Sequence, residues 1–177
     1  MSKLGVWLAS CTAAVMAAAL FSPGIADSVR AANMPSVSLN VSSAAPRAVE
    51  DTTEKSVARD YAAAWQAMAD ALDQNRADLL AANFIGTADE KLAEGIAQQR
   101  KNGLHQRIMD KGHKVDVVFY SPEGSAMELH DTARLELQVL DGSKVIHSED
   151  TTVQYVTLLT AAENSWKVRV MEAVPKF

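Results

Sequence analysis

The sequence predicts an α+β domain in which three N-terminal helices pack on a strongly curved antiparallel sheet of four to six strands. Before residue 104, apolar residues recur at steps of three or four, the spacing of one face of a helix. After it they alternate with polar residues, as in residues 133–140, which indicates strands with one buried face. Asp141-Gly142 separates that run from residues 145–159, and we expect this dipeptide to occupy the two central positions of a tight hairpin turn.

The helices are predicted from their apolar stripes and end signals. The first starts at residues 51–54, where Asp51 can cap the helix and Glu54 can return the bond, and runs for about five turns. A short second helix covers about residues 75–81. The third follows a capping box at residues 87–90 and ends in Arg100-Lys101-Asn102-Gly103, where the bases complement the helix dipole and the glycine favours the left-handed cap. Six residues form the stripe of the first helix: Val57, Tyr61, Ala64, Trp65, Met68 and Leu72.

The strands follow in order. Residues 105–109 form a short strand, residues 115–120 a second, and residues 121–124 a turn. The next strand, residues 125–140, is expected to bend or bulge near Asp131-Thr132. Residues 145–159 form the central strand, because their end is apolar or β-branched on both faces, and residues 166–173 form the last.

The N-terminus predicts export. Lys3 precedes residues 4–21, which contain no charge, and Gly24-Ile25-Ala26 offers a cleavage site before Asp27. Residues 1–26 are therefore a signal peptide or an N-terminal membrane anchor, because an 18-residue apolar run lies between the two classes. We expect a periplasmic or secreted protein or, if residues 4–21 are retained as a tether, one anchored to the inner membrane and facing the periplasm.

Composition defines the remaining boundaries. Residues 27–53 are rich in Ser, Ala and Pro without a sustained period, which indicates a flexible linker, and residues 54–177 form one domain. The net charge of -5, with scattered basic residues, argues against a nucleic-acid partner. The single cysteine, Cys11, lies within the apolar run, so a cleaved protein has no thiol nucleophile and no disulfide.

This order of elements resembles the nuclear-transport-factor-2-like superfamily over residues 54–173. The segments AWQAMADAL, LAEGIAQQRKNGL, HDTARLELQVLDG and YVTLLTAAENSWKV carry the resemblance. They are similar to the non-enzymatic branch related to the membrane-tethering subunit of the mitochondrial import motor and to the plastid-division domain. The resemblance implies a concave sheet face, roofed by helices, that serves either as a small-molecule pocket or as a surface for partners and dimerisation.

The ketosteroid-isomerase-like enzymes of this superfamily use an Asp base and a Tyr or Asp donor in an apolar pocket. Tyr61 is the corresponding donor candidate, and Asp116 and Asp131 are the carboxylates on or beside strands. That pattern is not reproduced, because Asp116 alternates with valines and is expected in solvent. The histidines, His105, His113, His130 and His147, lack metal-ligand spacing and suit surface turns. The sequence therefore predicts no catalytic residue, no metal site and no cofactor.

Our first hypothesis is an exported non-enzymatic domain that binds a protein partner or a small apolar ligand in the concave face. The alternative is a small-molecule enzyme of the isomerase or cyclase type that uses the same cavity, and a homodimer with sheets packed face to face is also permitted. A buried carboxylate facing Tyr61 or Trp65 favours the enzyme, whereas a filled cavity with an exposed apolar sheet face favours interaction. Eight residues are the candidate ligand-binding residues: Tyr61, Trp65, Met68, Phe84, Phe119, Val153, Tyr155 and Thr157.

Overall fold

A computed structural model describes residues 34–177. These residues form a mixed, curved, open sheet with two α-helices against one face. The elements in chain order are β1 Val37–Asn40, β2 Ala45–Pro46, α1 Asp51–Gln74, a 3₁₀ turn Ala77–Leu80, α2 Gly86–Lys101, β3 Leu104–Tyr120, β4 Ala126–Asp141, β5 Lys144–Ala162 and β6 Ser165–Val174. The predicted signal peptide or anchor, residues 1–26, and Cys11 lie outside the described residues.

The sheet has the strand order β1-β3-β4-β5-β6, and β2 also pairs with β3. The four long strands pair with one another in antiparallel fashion, as predicted, and the six strands fall within the predicted number. The two short strands, β1 and β2, run parallel to β3, so the sheet is not wholly antiparallel. Both lie within residues 27–53, which the sequence interprets as a linker. That interpretation is corrected for residues 37–46, since short edge strands give too few alternating residues to show a period.

The long strand β3 merges the two strands predicted at residues 105–109 and 115–120. Lys111 and Gly112 together lie opposite one residue, Arg134, and Val118 has no counterpart on β4. These β-bulges turn the strand so that residues three apart point to the same face. The irregularities in this pairing are on β3, whereas a bend was predicted on β4 at Asp131-Thr132. Gly112 supports the first bulge with a φ of 116°, which side-chain-bearing residues rarely adopt.

The predicted hairpin between β4 and β5 exists but is shifted by one residue. Asp141 pairs with Lys144, so Gly142 and Ser143 form the two-residue loop. Gly142 has a φ of 56°. A positive φ at the first central position is the requirement of a type II′ turn, and glycine meets it without steric cost. The dipeptide Asp-Gly therefore marks the turn correctly, but aspartate closes the ladder instead of entering the loop.

Two α-helices are present in the described chain, not three. The segment predicted as a second helix is a 3₁₀ turn of four residues, Ala77–Leu80, which buries Leu80 completely. The first helix runs from Asp51 to Gln74, so it starts where predicted but is longer than five turns, and its N-cap is Glu50 instead of Asp51. It packs against β1, β3 and β6, and α2 packs against β3 and β6. The hydrophobic core fills the space between these helices and the sheet.

The Asp60 carboxylate joins α1 to the sheet. Its Oδ2 accepts a hydrogen bond of 2.8 Å from the buried backbone N–H of Trp166, at the start of β6. Its Oδ1 accepts one of 2.8 Å from Nε of Arg59. Asp60 is itself buried, so both hydrogen bonds compensate its removal from water. Among residues 34–177, no helix combines the length and apolar character that crossing a bilayer requires.

Candidate functional site

The sheet face turned toward the helices, called the inner face below, is defined by the strand register. Directly opposed residues of antiparallel strands point to the same side. Val115, Asp131 and Tyr155 form one such row across β3, β4 and β5, and the row ends at Ala173 on β6. Neighbouring rows add His113 with Ala133 and Val153, and Val117 with Leu129, Thr157 and Met171.

A buried polar cluster lies at the centre of this inner face. It consists of Tyr61 from α1, His113 from β3, Asp131 from β4 and Thr157 from β5. Tyr61 donates its hydroxyl hydrogen to Oδ2 of Asp131 at 2.8 Å, and Oδ2 also lies 2.8 Å from Nδ1 of His113. The Tyr61 hydroxyl lies 3.3 Å from Oγ1 of Thr157. All four residues are buried, and Asp131 has 0% of its surface exposed.

The first bulge of β3 completes the cluster. It brings Asp110 and His113 onto the same face, and Nε2 of His113 lies 3.0 Å from Oδ1 of Asp110. Nε2 nevertheless has no hydrogen bond within residues 34–177, so the contact has ion-pair distance without hydrogen-bond alignment. Asp110 accepts hydrogen bonds from the backbone N–H groups of Ser36 and Gly112. The segment leading into β1 and the bulge therefore position this carboxylate beside the histidine.

Aromatic rings cover the polar cluster. The Trp65 ring centroid lies 4.4 Å from that of His113 and 5.4 Å from that of Tyr155. Tyr61 meets Trp65 edge to face at 6.4 Å. Rings packed at these distances exclude water and lower the local dielectric, which strengthens the hydrogen bonds beneath them.

Burial changes the acidity of both tyrosines. Desolvation, followed by the neighbouring Asp131 carboxylate, raises the pKa of Tyr61 well above its ordinary value of 10.0. The same two causes raise the pKa of Tyr155. Both phenols are therefore neutral hydrogen-bond donors throughout the physiological pH range.

The cluster contains the groups that acid–base chemistry uses, but they are closed to solvent. A carboxylate with an imidazole and a phenol can move protons only if a reacting group comes within hydrogen-bond distance. Two of its polar atoms, Oδ1 of Asp131 and Nε2 of His113, are buried without a hydrogen-bond partner in the described chain, and so is Nε1 of Trp65. The arrangement therefore has the carboxylate facing Tyr61 that favours an enzyme. It is also filled by side chains, which favours an interaction domain.

Beside the closed cluster, the inner face remains partly open. Val153 and Tyr155 on β5 and Met171 on β6 are half-buried, and Ala173 is exposed. We call these four residues the inner-face patch. Tyr155 joins the patch to the cluster, because its ring packs on Trp65 while part of its surface reaches solvent.

Seven of the eight candidate residues belong to the core or to the inner face. Tyr61 and Thr157 belong to the polar cluster, Trp65 packs on its His113, and Met68 and Phe84 are buried in the hydrophobic core. Val153 and Tyr155 lie in the patch. Phe119 does not join them, because the second bulge of β3 pairs it with Glu128 on the opposite sheet face and leaves it 38% exposed.

Two residues of the cluster were not predicted as site residues. His113 is buried, so the prediction of surface positions for all four histidines is wrong for it. Its buried position could be inferred from the sequence, because His113 shares the two-residue spacing of Val115 and Val117 and so lies on their side of the strand. Asp131 likewise occupies the apolar alternation of Leu129 and Ala133, but the bend expected at that position concealed it. Asp116 is exposed, as predicted.

A separate cavity of about 450 Å³ lies beside the C-terminal half of α2. None of the eight candidate residues lines it. Within residues 34–177, no group of three His, Cys, Asp or Glu side chains is arranged to hold a metal ion. The lining residues of the cavity are Asn75, Ala77, Ala93, Ile96, Ala97, Arg100 and Lys101.

No protein-family model matches the chain, and no curated protein matches its sequence. Solved structures do match it. The intermembrane-space region of the chloroplast protein ARC6 has 15% sequence identity and a TM-score of 0.61, over 73% of this chain and 98% of that region. A putative scytalone dehydratase from Novosphingobium aromaticivorans has 12% identity and a TM-score of 0.45, over 65% of this chain and 80% of that one. A cystatin-like domain of unknown function from Nostoc punctiforme has 13% identity and a TM-score of 0.42, over 73% and 80%.

The chain is thus an α+β protein of the nuclear-transport-factor-2-like fold. The similarity to the ARC6 region spans almost the whole of that region, which confirms at the level of fold the expected relation to the plastid-division domain. Since one fold carries many functions, the function has to be argued from the site.

Proposed function

We propose that this chain is an exported, non-enzymatic binding domain that holds a protein partner against its inner-face patch. The observation that supports this proposal is the apolar inner-face patch, in which Val153, Tyr155 and Met171 are half-buried and Ala173 is exposed. When a partner covers apolar surface that a monomer leaves exposed, the complex is stabilised by roughly 25 cal/mol per Å² of buried apolar area.

The composition of the patch suits a protein partner. Tyrosine and methionine are enriched at the centres of protein interfaces, and charged residues are depleted there. The patch is also open toward Ala173, whereas small molecules favour concave sites that enclose most of their surface. A small apolar ligand is the competing occupant of the same patch, and a second copy of this chain is another.

The closed polar cluster has a structural role in this proposal. Its hydrogen bonds connect α1 to three strands, so they fix the helix over the sheet and keep Trp65 and Tyr155 in place. Preorganised side chains lose less conformational entropy when a partner binds. The cluster thus keeps the patch rigid without contacting the partner.

An anionic dye with an apolar ring system, whose fluorescence rises in apolar surroundings, tests whether the patch is an available binding surface. We expect 1-anilinonaphthalene-8-sulfonate to bind the native chain and Ala173→Asp to weaken its binding about tenfold or more, because the charge would be desolvated on contact. Lys114→Asp is the control, since it places the same carboxylate at an exposed strand residue on the opposite face. Equal dye binding by both variants would rule out the patch.

A second candidate function is acid–base catalysis of the isomerase or cyclase type. The specific observation in its favour is that Asp131 and His113 each keep a polar atom without a hydrogen-bond partner beside the Tyr61 hydroxyl. Such atoms are costly to bury, and active sites are among the places where proteins retain them. A substrate turned over by the purified chain, with turnover lost in Asp131→Asn and kept in Asp116→Asn, would replace the first proposal with this one.

Export is the part of the proposal that depends on residues 1–26. The uncharged run after Lys3 and the cleavage site before Asp27 support it. N-terminal sequencing of the protein from the cell envelope distinguishes the alternatives. An N-terminus at Asp27 means a cleaved signal, an intact one in the membrane fraction means a retained anchor, and recovery in the cytosol would contradict export.

A further inference from the structure

The strand β5 is much longer than its neighbour β6, so part of β5 has no partner on that side. Pairing with β6 begins at Gln154, which lies opposite Val174, and continues to the end of β5. From Lys144 to Val153 the strand pairs only with β4. Within residues 34–177, the other edge of this segment has no strand beside it. We call residues 144–152 the free edge.

The free edge has the properties of a template for strand addition. Residues 144–150 are all exposed, including Val145 at 43% and Ile146 at 51%. The segment also contains Thr151 and Thr152 and no proline, so β-branched residues are frequent and no backbone N–H is missing. Soluble proteins usually cover or shorten such an edge, because its unpaired backbone groups can form hydrogen bonds with the strand of another chain.

The C-terminal tail does not cover this edge. The Phe177 ring stacks on that of His130 with the centroids 4.4 Å apart. His130 lies opposite Val156, within the part of β5 that β6 already pairs. The tail therefore crosses the outer sheet face and leaves residues 144–152 accessible.

Charge determines which strand can pair with the free edge. Glu149 and Asp150 lie in its middle, and Asp150 is opposite a further carboxylate, Glu136. Lys111 binds both Asp150 and Glu136, which leaves an excess of one carboxylate even before Glu149 is counted. A two-fold antiparallel pairing of two copies centred on Ser148, the middle of this edge, would place Glu149 opposite His147 and Asp150 opposite Ile146. No lysine or arginine of the second copy would then face the acidic pair, whereas oppositely charged cross-strand pairs are the favourable ones.

We propose that the free edge of β5 binds an extended segment of a protein partner that carries lysine or arginine residues and adds it as a strand. Backbone hydrogen bonds provide the pairing, and the basic side chains neutralise Glu149 and Asp150, which gives the specificity. This surface is distinct from the inner-face patch, so the inference goes beyond the proposed function and does not require it.

The probe is a synthetic peptide, Thr-Lys-Val-Lys-Val-Lys-Thr, added to the full chain and followed by hydrogen–deuterium exchange and fluorescence anisotropy. We expect slower amide exchange within residues 144–152, and affinity about tenfold higher than for the same peptide with glutamate in place of lysine. Glu149→Lys should remove this preference. Glu123→Lys, the same charge change at an exposed turn residue distant in sequence from the edge, should preserve it.

Three results would overturn the proposal: absence of binding, exchange protection mapped elsewhere, or equal effects of Glu149→Lys and Glu123→Lys. Protection of residues 144–152 in the free chain would also overturn it, because a second copy or the chain's own residues 1–33 would then occupy the edge. Ala173→Asp should leave peptide binding unchanged. The proposal for the inner-face patch and the proposal for the free edge can therefore be refuted independently of each other.

Discussion

The hydroxyl of Tyr61 donates a 2.8 Å hydrogen bond to Oδ2 of Asp131, although the two residues are 70 positions apart in the chain. This bond joins the first helix to the middle strands of the sheet and is fully buried. The same oxygen lies 2.8 Å from Nδ1 of His113, so three elements of the fold meet at one carboxylate oxygen.

Removal of the Tyr61 hydroxyl should destabilise the domain. Tyr61→Phe leaves a buried carboxylate with one hydrogen-bond partner fewer, and we expect the free energy of unfolding to fall by about 1–3 kcal/mol. Urea denaturation followed by circular dichroism measures the change. Tyr120→Phe is the matched control, because Tyr120 is also buried but its hydroxyl has no hydrogen bond to the described residues. Equal losses in the two variants would mean that the Tyr61–Asp131 bond contributes nothing specific.

Alkaline pH should weaken the fold through the same residue. The folded-state pKa of Tyr61 is raised above the unfolded value of about 10. The stabilisation from its neutral phenol is therefore fully present below pH 10 and is lost as pH rises from there through the folded-state pKa. Urea midpoints between pH 8 and pH 11 should fall more steeply for the native chain than for Tyr61→Phe. The raised pKa of Tyr155 adds the same pH dependence to both proteins, so the comparison isolates Tyr61. Parallel curves would contradict the prediction.

The bulge of β3 should depend on Gly112. Its φ of 116° is open to glycine and strained for other residues, so Gly112→Ala should cost about 1–3 kcal/mol of stability. The cause is the backbone conformation, since an added Cβ would meet only the Arg134 guanidinium, at 3.4 Å. Thermal unfolding of the variant measures the loss.

Gly95 offers a control of opposite sign. It lies within α2, and an added Cβ would have no atom within 4 Å, so a close approach is not the reason for this glycine. Gly95→Ala should therefore stabilise the domain by about 0.5–1 kcal/mol, because alanine loses less backbone entropy in a helix. Destabilisation by Gly95→Ala, or tolerance of Gly112→Ala, would refute this account of the two glycines.

The contact of α1 with β6 should require the carboxylate of Asp60. Asp60→Ala leaves the buried N–H of Trp166 without its acceptor, and we expect a loss of about 1–3 kcal/mol in the free energy of unfolding. Arg59→Ala breaks only the ion pair of Asp60 with an exposed side chain, so its effect should stay below about 1 kcal/mol. Denaturant titration of the two variants compares them directly, and a larger effect of Arg59→Ala would contradict the assignment.

Much of the fold could be predicted from the sequence, because its long elements have a clear period. The stripe of Tyr61, Trp65 and Met68 and the alternation of residues 133–140 gave the first helix and β4 directly. The parallel strand Val37–Asn40 was missed, because four residues show no distinct period and its partner is 76 positions away. A hydrogen-bonded pairing at that distance is a tertiary property that local patterns do not contain.

Only some residues of the candidate site could be predicted from the sequence. Tyr61, Trp65 and Thr157 followed from the periodicity of their helix and strand. His113 and Asp131 lie in the apolar alternation of their own strands, but surface positions for the histidines and a bend at Asp131 were expected instead. The second bulge of β3, at Val118, moves Phe119 to the opposite sheet face, and no local pattern in the sequence marks that extra residue.

Site-specific photocrosslinking in the native cell envelope tests the central claim most directly. A photoreactive amino acid at Ala173 should give an abundant, discrete protein adduct, whereas the same group at Lys114 on the opposite sheet face should not. Mass spectrometry would then identify the partner held at the inner-face patch. Adducts of equal intensity at the two positions, or no protein adduct at Ala173, would contradict the proposal that this face binds a protein.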